Sequence, residues 1–167
     1  MPARRLVLVR HAQAGDAATD RERPLTELGQ QQAAAMGELA GLGAAPDRVL
    51  VSPALRARQT WERISAALPA MPEPEFEERI YDNTLDGLFE VVRESAEDVR
   101  TVVVVGHNPA VGQLAADLDD GDGDDDARES LSHGFPPASV AVFEVDTPFA
   151  VVGPGTATLV RLLSPPA

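Results

Sequence analysis

Two short apolar runs, each followed directly by a histidine, constrain the fold of this chain more than any other feature. The first is LVLVRH at residues 6–11, and the second is VVVVGH at residues 102–107. Uninterrupted apolar runs of this length are typical of parallel strands that are buried on both faces. In open α/β sheets, ligands bind at the carboxyl ends of such strands. The pattern therefore predicts a sheet edge at which two imidazole rings meet.

Strand and helix patterns alternate along the rest of the chain. Strands are predicted at about 5–9, 49–51, 102–105, 140–145 and 157–163, and helices at about 26–42, 53–68, 85–95 and 109–118. This alternation is typical of a mostly parallel sheet that is covered by helices on both faces. The sequence therefore predicts an α/β fold, a three-layer α/β/α sandwich with a mostly parallel central sheet, formed as a single domain by residues 1–167.

The charge of the chain narrows the range of its partners. The formal net charge is −13, and seven aspartates lie within residues 117–126. Because nucleic acids and anionic membranes are bound by basic patches, we expect neither as a partner. The acidic run predicts a solvated acidic loop at about 117–130. A calcium-binding loop beginning at Asp120 is the alternative, but it would need Gly and Glu where the chain has Asp125 and Leu131.

Cysteine content and hydropathy indicate a cytoplasmic protein. Cysteine is absent, which excludes disulfides and cysteine metal ligands. No apolar run approaches the roughly 20 residues that a membrane-spanning helix needs. The run at residues 6–9 is also too short for the core of a signal peptide.

Arg10 and His11 are the first candidates for catalytic chemistry. A guanidinium group presents a planar fork of donors that matches phosphate oxygens. A neutral histidine beside it can attack phosphorus through its free ring nitrogen, and neighbouring positive charge favours the neutral ring. The dipeptide alone is equally compatible with a surface arginine and a hydrogen-bonded loop histidine.

Two later segments place further candidates at the same edge. Ser52 and Pro53 open a helix that carries Arg56 near its start, where the helix N-terminus itself favours anions. His107 and Asn108 directly follow the second apolar run. A protonated His107 would bind a phosphoryl oxygen and stabilise charge as the bond breaks.

Arg23 lies in the loop after the first strand and is a further candidate for a phosphate or substrate contact. Each candidate also has a purely structural explanation: a surface ion pair for Arg23, the common occurrence of arginines in first helical turns for Arg56 and a backbone-bonded core histidine for His107. Because all of these segments lie at junctions of strands and helices, their coincidence favours one site that binds a phosphoryl group.

The motifs resemble those of the histidine phosphatase superfamily, which includes cofactor-dependent phosphoglycerate mutase. LVRHA at residues 8–12 resembles its Arg-His-Gly signature, with Ala12 in place of the glycine. Residues 52–60 resemble its second arginine motif, and residues 105–108 its second histidine motif. Within the superfamily, the Arg-His-Ala variant, the segment 20–29 and the short chain are similar to the SixA-type phosphohistidine phosphatases.

The resemblance implies a role for each candidate. His11 would be the nucleophile that takes the phosphoryl group, and water would then hydrolyse the phosphorylated ring. Three side chains would cradle the group and stabilise the pentacoordinate transition state: Arg10, Arg56 and His107. Two more would support the pocket: Ser52 and Asn108. The family uses neither a metal nor an organic cofactor, and the implied fold is phosphoglycerate mutase-like with a minimal cap.

The general acid is the least defined part of the resemblance. Glu78 follows a short predicted strand in the region where many relatives carry a catalytic glutamate, and an exposed acidic loop is the alternative for it. Phosphohistidine has a good leaving group, so it needs little acid catalysis, whereas a phosphate monoester needs more.

The spacing of the motifs bears on the substrate. Only about 40 residues separate Thr60 from Thr101, which leaves little room for a cap over the site. An uncapped site favours a phosphorylated protein, such as a phosphotransfer domain. A phosphatase of small phosphorylated metabolites and a non-catalytic phosphohistidine-binding module are the alternatives.

Overall fold

A computed structural model describes residues 3–39, 45–68 and 71–165 of the chain. Its strands are β1 (Arg4–Arg10), β2 (Arg48–Val51), β3 (Glu75–Phe76), β4 (Thr101–Gly106), β5 (Val140–Val145) and β6 (Ala157–Leu163). They form one sheet in the order β3-β2-β4-β1-β5-β6. The first four are parallel to one another, whereas β5 runs antiparallel to both β1 and β6. The predicted α/β fold with a mostly parallel sheet is confirmed.

The helices of the described residues are α1 (Glu27–Leu39), α2 (Leu55–Ser65), α3 (Glu78–Tyr81), α4 (Leu85–Arg93), α5 (Ala110–Leu118) and α6 (Asp125–Ser132). The sequence predicted α1, α2, α4 and α5 but neither α3 nor α6. The predicted end of the first helix, Leu42, lies outside the described residues. Within the described part of the chain, no helix is long and apolar enough to cross a membrane.

The two apolar runs are buried because each supplies side chains to both faces of the sheet. Leu6, Leu8, Val102 and Val104 belong to the core cluster beneath α4 and α5. Alternate residues of the same strands belong to the cluster beneath α1 and α2: Val7, Val9, Val103 and Val105. Burial of each such side chain contributes about 1.5–3 kcal/mol to the hydrophobic stabilisation of the fold. The two central strands are therefore a well-anchored platform for the residues that follow them.

The acidic segment is not the single loop that its charge predicts. α5 extends to Leu118, and α6 begins at Asp125. The side chain of Asp124 caps α6 by accepting a hydrogen bond of 2.9 Å from the amide of Ala127. Aspartates at the start of a helix also interact favourably with the helix dipole. The prediction of a loop to residue 130 is therefore wrong for the part of the run that caps and begins a helix.

The residues that connect α5 to α6 run along the outer edge of β6. The amides of Asp120 and Asp124 donate to the carbonyls of Ala157 and Leu159, each at 2.9 Å. A Cβ atom at Gly123 would collide with the Leu159 carbonyl, so glycine permits this close approach. The connection is thus fixed to the sheet by backbone hydrogen bonds.

Candidate active site

Strand register brings the two predicted histidines together. Arg10 at the end of β1 is paired with Gly106 at the end of the parallel neighbour β4. The next residue on each strand is therefore delivered to the same edge, and the amide of His11 donates to the Gly106 carbonyl at 3.0 Å. The ring centroids of His11 and His107 lie 5.1 Å apart.

A cleft of about 470 Å³ opens beside the two rings. Its walls are formed by nine residues: Arg10, His11, Asp20, Arg23, Arg56, Tyr81, Asn83, His107 and Asn108. Six of these were candidates from the sequence. Of the other two candidates, Ser52 lies behind His107 and Glu78 lies outside the walls of the cleft. The sequence reasoning missed Asp20, Tyr81 and Asn83 as lining residues.

His11 is held as a neutral ring with one free nitrogen. Its Nδ1 lies 2.7 Å from the carbonyl oxygen of Ala12, and because that oxygen only accepts, Nδ1 carries the hydrogen. Burial is the largest effect that lowers the pKa of His11 to about 4; the hydrogen bond to Ala12 opposes it, and the charges of Arg56, Arg10 and Arg23 add to it. Near neutral pH, Nε2 is therefore an unprotonated nucleophile.

His107 is buried and is oriented by Ser52. Its Nε2 lies 2.7 Å from the Ser52 hydroxyl oxygen, which also accepts from the amide of Ala54 at 3.2 Å. The Ser52 hydroxyl can donate to Nε2, and in that tautomer the ring hydrogen lies on Nδ1. Among the described residues, the buried Nδ1 of His107 has no hydrogen-bond partner. In that tautomer, Nδ1–H is an unpaired donor on a ring that lines the cleft.

The protonated His107 expected from the sequence is not favoured in this cleft. Burial above all, followed by the charges of His11 and Arg56, lowers the pKa of His107 to about 3. A neutral ring with its hydrogen on Nδ1 can still donate one hydrogen bond to a phosphoryl oxygen. His107 can therefore bind a phosphoryl oxygen, as the sequence predicted, without carrying a positive charge.

The guanidinium groups of Arg10 and Arg56 are anchored by main-chain oxygens. Arg10 donates from Nη1 to the carbonyl of Phe135 at 3.1 Å. Arg56, in the first turn of α2 and only 7% exposed, donates from Nη1 to the carbonyl of Asp20 at 2.7 Å. Each guanidinium has five N–H donors, so these contacts orient the group and leave donors for an anion.

Asp20 introduces a negative charge among the arginines. Its carboxylate accepts hydrogen bonds from Tyr81 at 2.7 Å, from Arg56 Nη2 at 3.0 Å and from Arg23 Nη1 at 3.2 Å. The bond from Tyr81, with those from Arg56 and Arg23, holds the pKa of this carboxyl well below its usual range. Asp20 is therefore ionised, and Arg23 contacts it rather than standing free in the cleft.

Asn108 supports the wall of the cleft. Its side chain donates to the Phe135 carbonyl at 2.9 Å and accepts from the amide of Gly112 at 3.2 Å. Asn83 donates in turn to the main-chain carbonyl of Asn108 at 2.7 Å. The Phe135 carbonyl thus accepts from both Asn108 and Arg10, and it fixes the position of these two side chains relative to each other.

Glu78 is poorly placed to act as a proton donor in this cleft. Its carboxylate accepts two hydrogen bonds from Arg21, at 2.8 and 2.9 Å, and the side chain is 64% exposed. The bond from Arg21 lowers the pKa of Glu78, which keeps the group ionised. Arg21 also stacks on the ring of Tyr81, with 4.4 Å between the guanidinium carbon and the ring centroid. Glu78 therefore secures the rim of the cleft.

The arrangement is suited to a tetrahedral oxyanion. Three arginines and one carboxylate line the cleft together with a neutral histidine that has a free nitrogen and a second that has a free donor. Such a set can bind a phosphoryl group and attack it. Among the described residues, no group of three or more His, Asp or Glu side chains is placed to hold a metal ion.

Comparisons with known proteins agree with this chemistry. Residues 6–102 match the model of the histidine phosphatase superfamily, branch 1, a range that includes Arg10, His11 and Arg56. Phosphohistidine phosphatase SixA of Escherichia coli is 36% identical over 115 residues, which cover 66% of this chain and 71% of that protein. An uncharacterized protein of Mycobacterium tuberculosis is 36% identical over 156 residues, 91% of this chain and 96% of its own.

Solved structures extend the similarity to the whole fold. A proposed phosphohistidine phosphatase SixA from Nakamurella multipartitia has a TM-score of 0.85 and 32% identity, with complete coverage of both chains. The protein histidine phosphatase SixA complexed with tungstate has a TM-score of 0.71 and 29% identity, covering 96% of this chain and 97% of that one. The resemblance to SixA-type phosphatases predicted from the motifs is confirmed. The chain is a phosphatase that belongs to branch 1 of the histidine phosphatase superfamily.

Proposed function

We propose that this phosphatase removes the phosphoryl group from phosphohistidine in proteins, through a phosphorylated His11. The observation that carries the proposal is the protonation of two groups that line the cleft, His11 and Asp20. The nucleophile is neutral and free at Nε2, yet Asp20, the one carboxyl group among the described lining residues, is ionised. In such a site the histidine can attack phosphorus readily, but no carboxylic acid is present among the described lining residues to protonate a leaving group. It therefore suits a substrate whose leaving group departs easily.

In the first step, Nε2 of His11 forms a bond to phosphorus while the phosphorus–nitrogen bond of the substrate breaks. The electron pair of that bond returns to the departing imidazole, which leaves as a neutral ring when its other nitrogen carries a proton. Arg10, Arg56 and the Nδ1–H of His107 stabilise the charge on the three equatorial oxygens. The Ala12 carbonyl continues to accept from Nδ1 of His11 and stabilises the positive charge that this ring gains.

In the second step, water attacks the phosphorus of phosphorylated His11. The bond from phosphorus to Nε2 breaks, and its electron pair restores the neutral ring. Inorganic phosphate leaves with the oxygen of the water, and the proton that the water loses passes to phosphate or solvent. These two reaction steps balance in atoms and charge with the residues of the cleft, the substrate and water alone.

The surroundings of the cleft support a protein as the substrate. Between α2 and β4, the described residues form only β3, α3 and α4, and α4 packs into the hydrophobic core rather than over the site. A phosphohistidine on a folded surface, such as that of a phosphotransfer domain, can therefore reach His11. A cytoplasmic location remains a prediction, as does the absence of a nucleic-acid partner.

The test is phosphate release from a histidine-phosphorylated phosphotransfer domain, with p-nitrophenyl phosphate as a parallel ester substrate. We expect rapid release from phosphohistidine, slow ester hydrolysis and no activity in His11→Ala. His133→Ala is the matched control, because His133 is exposed and lies outside the cleft. Faster ester hydrolysis would instead favour a small phosphorylated metabolite. Binding without phosphate release would favour a non-catalytic module.

A further inference from the structure

We propose that Asp20 is a positioning residue that orients Arg56 and, through its negative charge, weakens the hold of the site on the phosphate product. The inference rests on the proposed function, because it assumes that the cleft binds a phosphoryl group. It begins from an unusual juxtaposition: a carboxylate shares an oxyanion-binding cleft with the arginines that would bind the oxyanion.

The contacts of Asp20 show how it orients Arg56. Its main-chain oxygen accepts from Arg56 Nη1 at 2.7 Å, and its Oδ2 accepts from Nη2 at 3.0 Å. Two of the five in-plane N–H donors are thereby used, one on each Nη atom, and the remaining three keep fixed directions. A fork held in this way loses little conformational freedom when an anion binds.

The surrounding contacts hold the carboxylate in place. Tyr81 donates to Oδ2 at 2.7 Å and Arg23 donates to Oδ1 at 3.2 Å. Arg21, the next residue along the chain, stacks on the ring of Tyr81. The short 3-10 turn at Asp20–Glu22 is thus tied to α3 across the rim of the cleft. The negative charge stays beside the arginines instead of swinging into solvent.

A fixed carboxylate also opposes the binding of a dianion. Its charge offsets part of the attraction that Arg56 and Arg23 exert on phosphate, because the carboxylate lies 3.0 Å from Arg56 Nη2 and 3.2 Å from Arg23 Nη1. Inorganic phosphate carries nearly the full charge of the substrate phosphoryl group, so the same repulsion acts on the product and favours its release after each turnover. Product release is therefore the step that Asp20 favours.

If Asp20 had a purely structural role, the loss of its carboxylate would be expected to weaken phosphate binding rather than strengthen it. The Asp20 side chain is 53% exposed, and exposed ion pairs contribute little to stability. The main-chain bond from Asp20 to Arg56 persists in any variant at this position. If the carboxylate served only to hold the turn, its loss would disorder the cleft and weaken phosphate binding.

The experiment is a calorimetric titration of inorganic phosphate into wild type, Asp20→Asn and Glu22→Gln. The first variant keeps an acceptor oxygen but removes the charge, and we expect it to bind phosphate about tenfold more tightly. Glu22 is exposed on the same turn and its loss removes the same charge outside the cleft, so we expect Glu22→Gln to remain within about twofold of wild type. Unchanged or weaker binding by Asp20→Asn overturns the inference, as does the absence of phosphate binding in both wild type and Asp20→Asn.

Turnover gives a second measurement. For phosphate release from phosphohistidine, the inhibition constant of added phosphate should fall about tenfold in Asp20→Asn, and KM should fall in parallel. A damaged cleft would raise both values. Because the titration needs no turnover, it tests Asp20 even when no substrate is hydrolysed, so a failure of the proposed function is distinguishable from a failure of this inference.

Discussion

Nε2 of His107 lies 2.7 Å from the hydroxyl oxygen of Ser52, although 55 residues separate the two in the chain. Both groups are buried, so the hydrogen bond decides which ring nitrogen carries the hydrogen. We expect Ser52→Ala to lower kcat about tenfold, the loss expected for one buried hydrogen bond, while the protein stays folded.

Steady-state kinetics and thermal unfolding check this prediction together. Ser95→Ala is the matched control, because Ser95 is a buried serine that accepts a hydrogen bond from Arg48 away from the cleft. It should lower stability without lowering kcat. An unchanged kcat in Ser52→Ala would mean that the hydroxyl does not set the tautomer of His107.

Arg56 should not be replaceable by lysine. A lysine ammonium is a point charge and cannot keep the two bonds to Asp20 while presenting a planar pair of donors. We expect Arg56→Lys to reduce kcat/KM on phosphohistidine by about 100-fold, as for the loss of two charge-assisted hydrogen bonds. Arg58→Lys, on the exposed side of the same helix, should stay near wild type. Comparable losses in the two variants would contradict the assignment.

Glu78→Gln should retain its turnover. The carboxylate is paired with Arg21 outside the cleft walls, so its removal loosens the rim without removing a proton donor. We expect kcat on phosphohistidine to stay within about threefold of wild type. The measurement is phosphate release near neutral pH. A loss of more than about tenfold would return Glu78 to the role of general acid.

Stability should depend on pH through His11. Its pKa is lowered to about 4 in the folded protein, whereas the unfolded chain regains the ordinary value of about 6.5. Between these values the unfolded state binds more protons, so the free energy of unfolding falls as the pH is lowered through the window. His107 acts in the same direction.

We therefore expect His11→Ala to show a shallower fall of Tm between about pH 6.5 and pH 4 than wild type. Thermal melts across the window measure the slope, with His133→Ala as the control for losing an exposed histidine. If His11→Ala and wild type had equal slopes, the buried neutral ring would not be the group that titrates.

The central part of the fold was predictable because local pattern and tertiary environment agree there. The runs at residues 6–9 and 102–105 are apolar at every position, and strands buried on both faces require this. Parallel strands deliver the residues that follow them to one edge, so the shared edge of His11 and His107 could be predicted. That β1 and β4 are direct neighbours is seen only in the structure. Arg56 followed from its place at the start of a helix.

The rim of the cleft was not predictable because it depends on contacts between distant segments. Tyr81 bonds Asp20 across 61 residues, and neither residue lies in a periodic pattern. The single signal was the presence of Asp20 three residues before Arg23, a spacing equally typical of a surface ion pair. Glu78 was predicted in the cleft from its place after a strand, but its pairing with Arg21 could only be seen in three dimensions.

The acidic connection between α5 and α6 has a consequence for how copies of this protein meet. An outer strand such as β6 is a template on which a strand from another molecule can add through its free main-chain groups. Residues 119–124 occupy part of that edge with their own amides. Two molecules that approached through β6 would also bring two aspartate-rich segments face to face, and the repulsion would oppose their association. The connection thereby disfavours the pairing of strands from two molecules at the β6 edge.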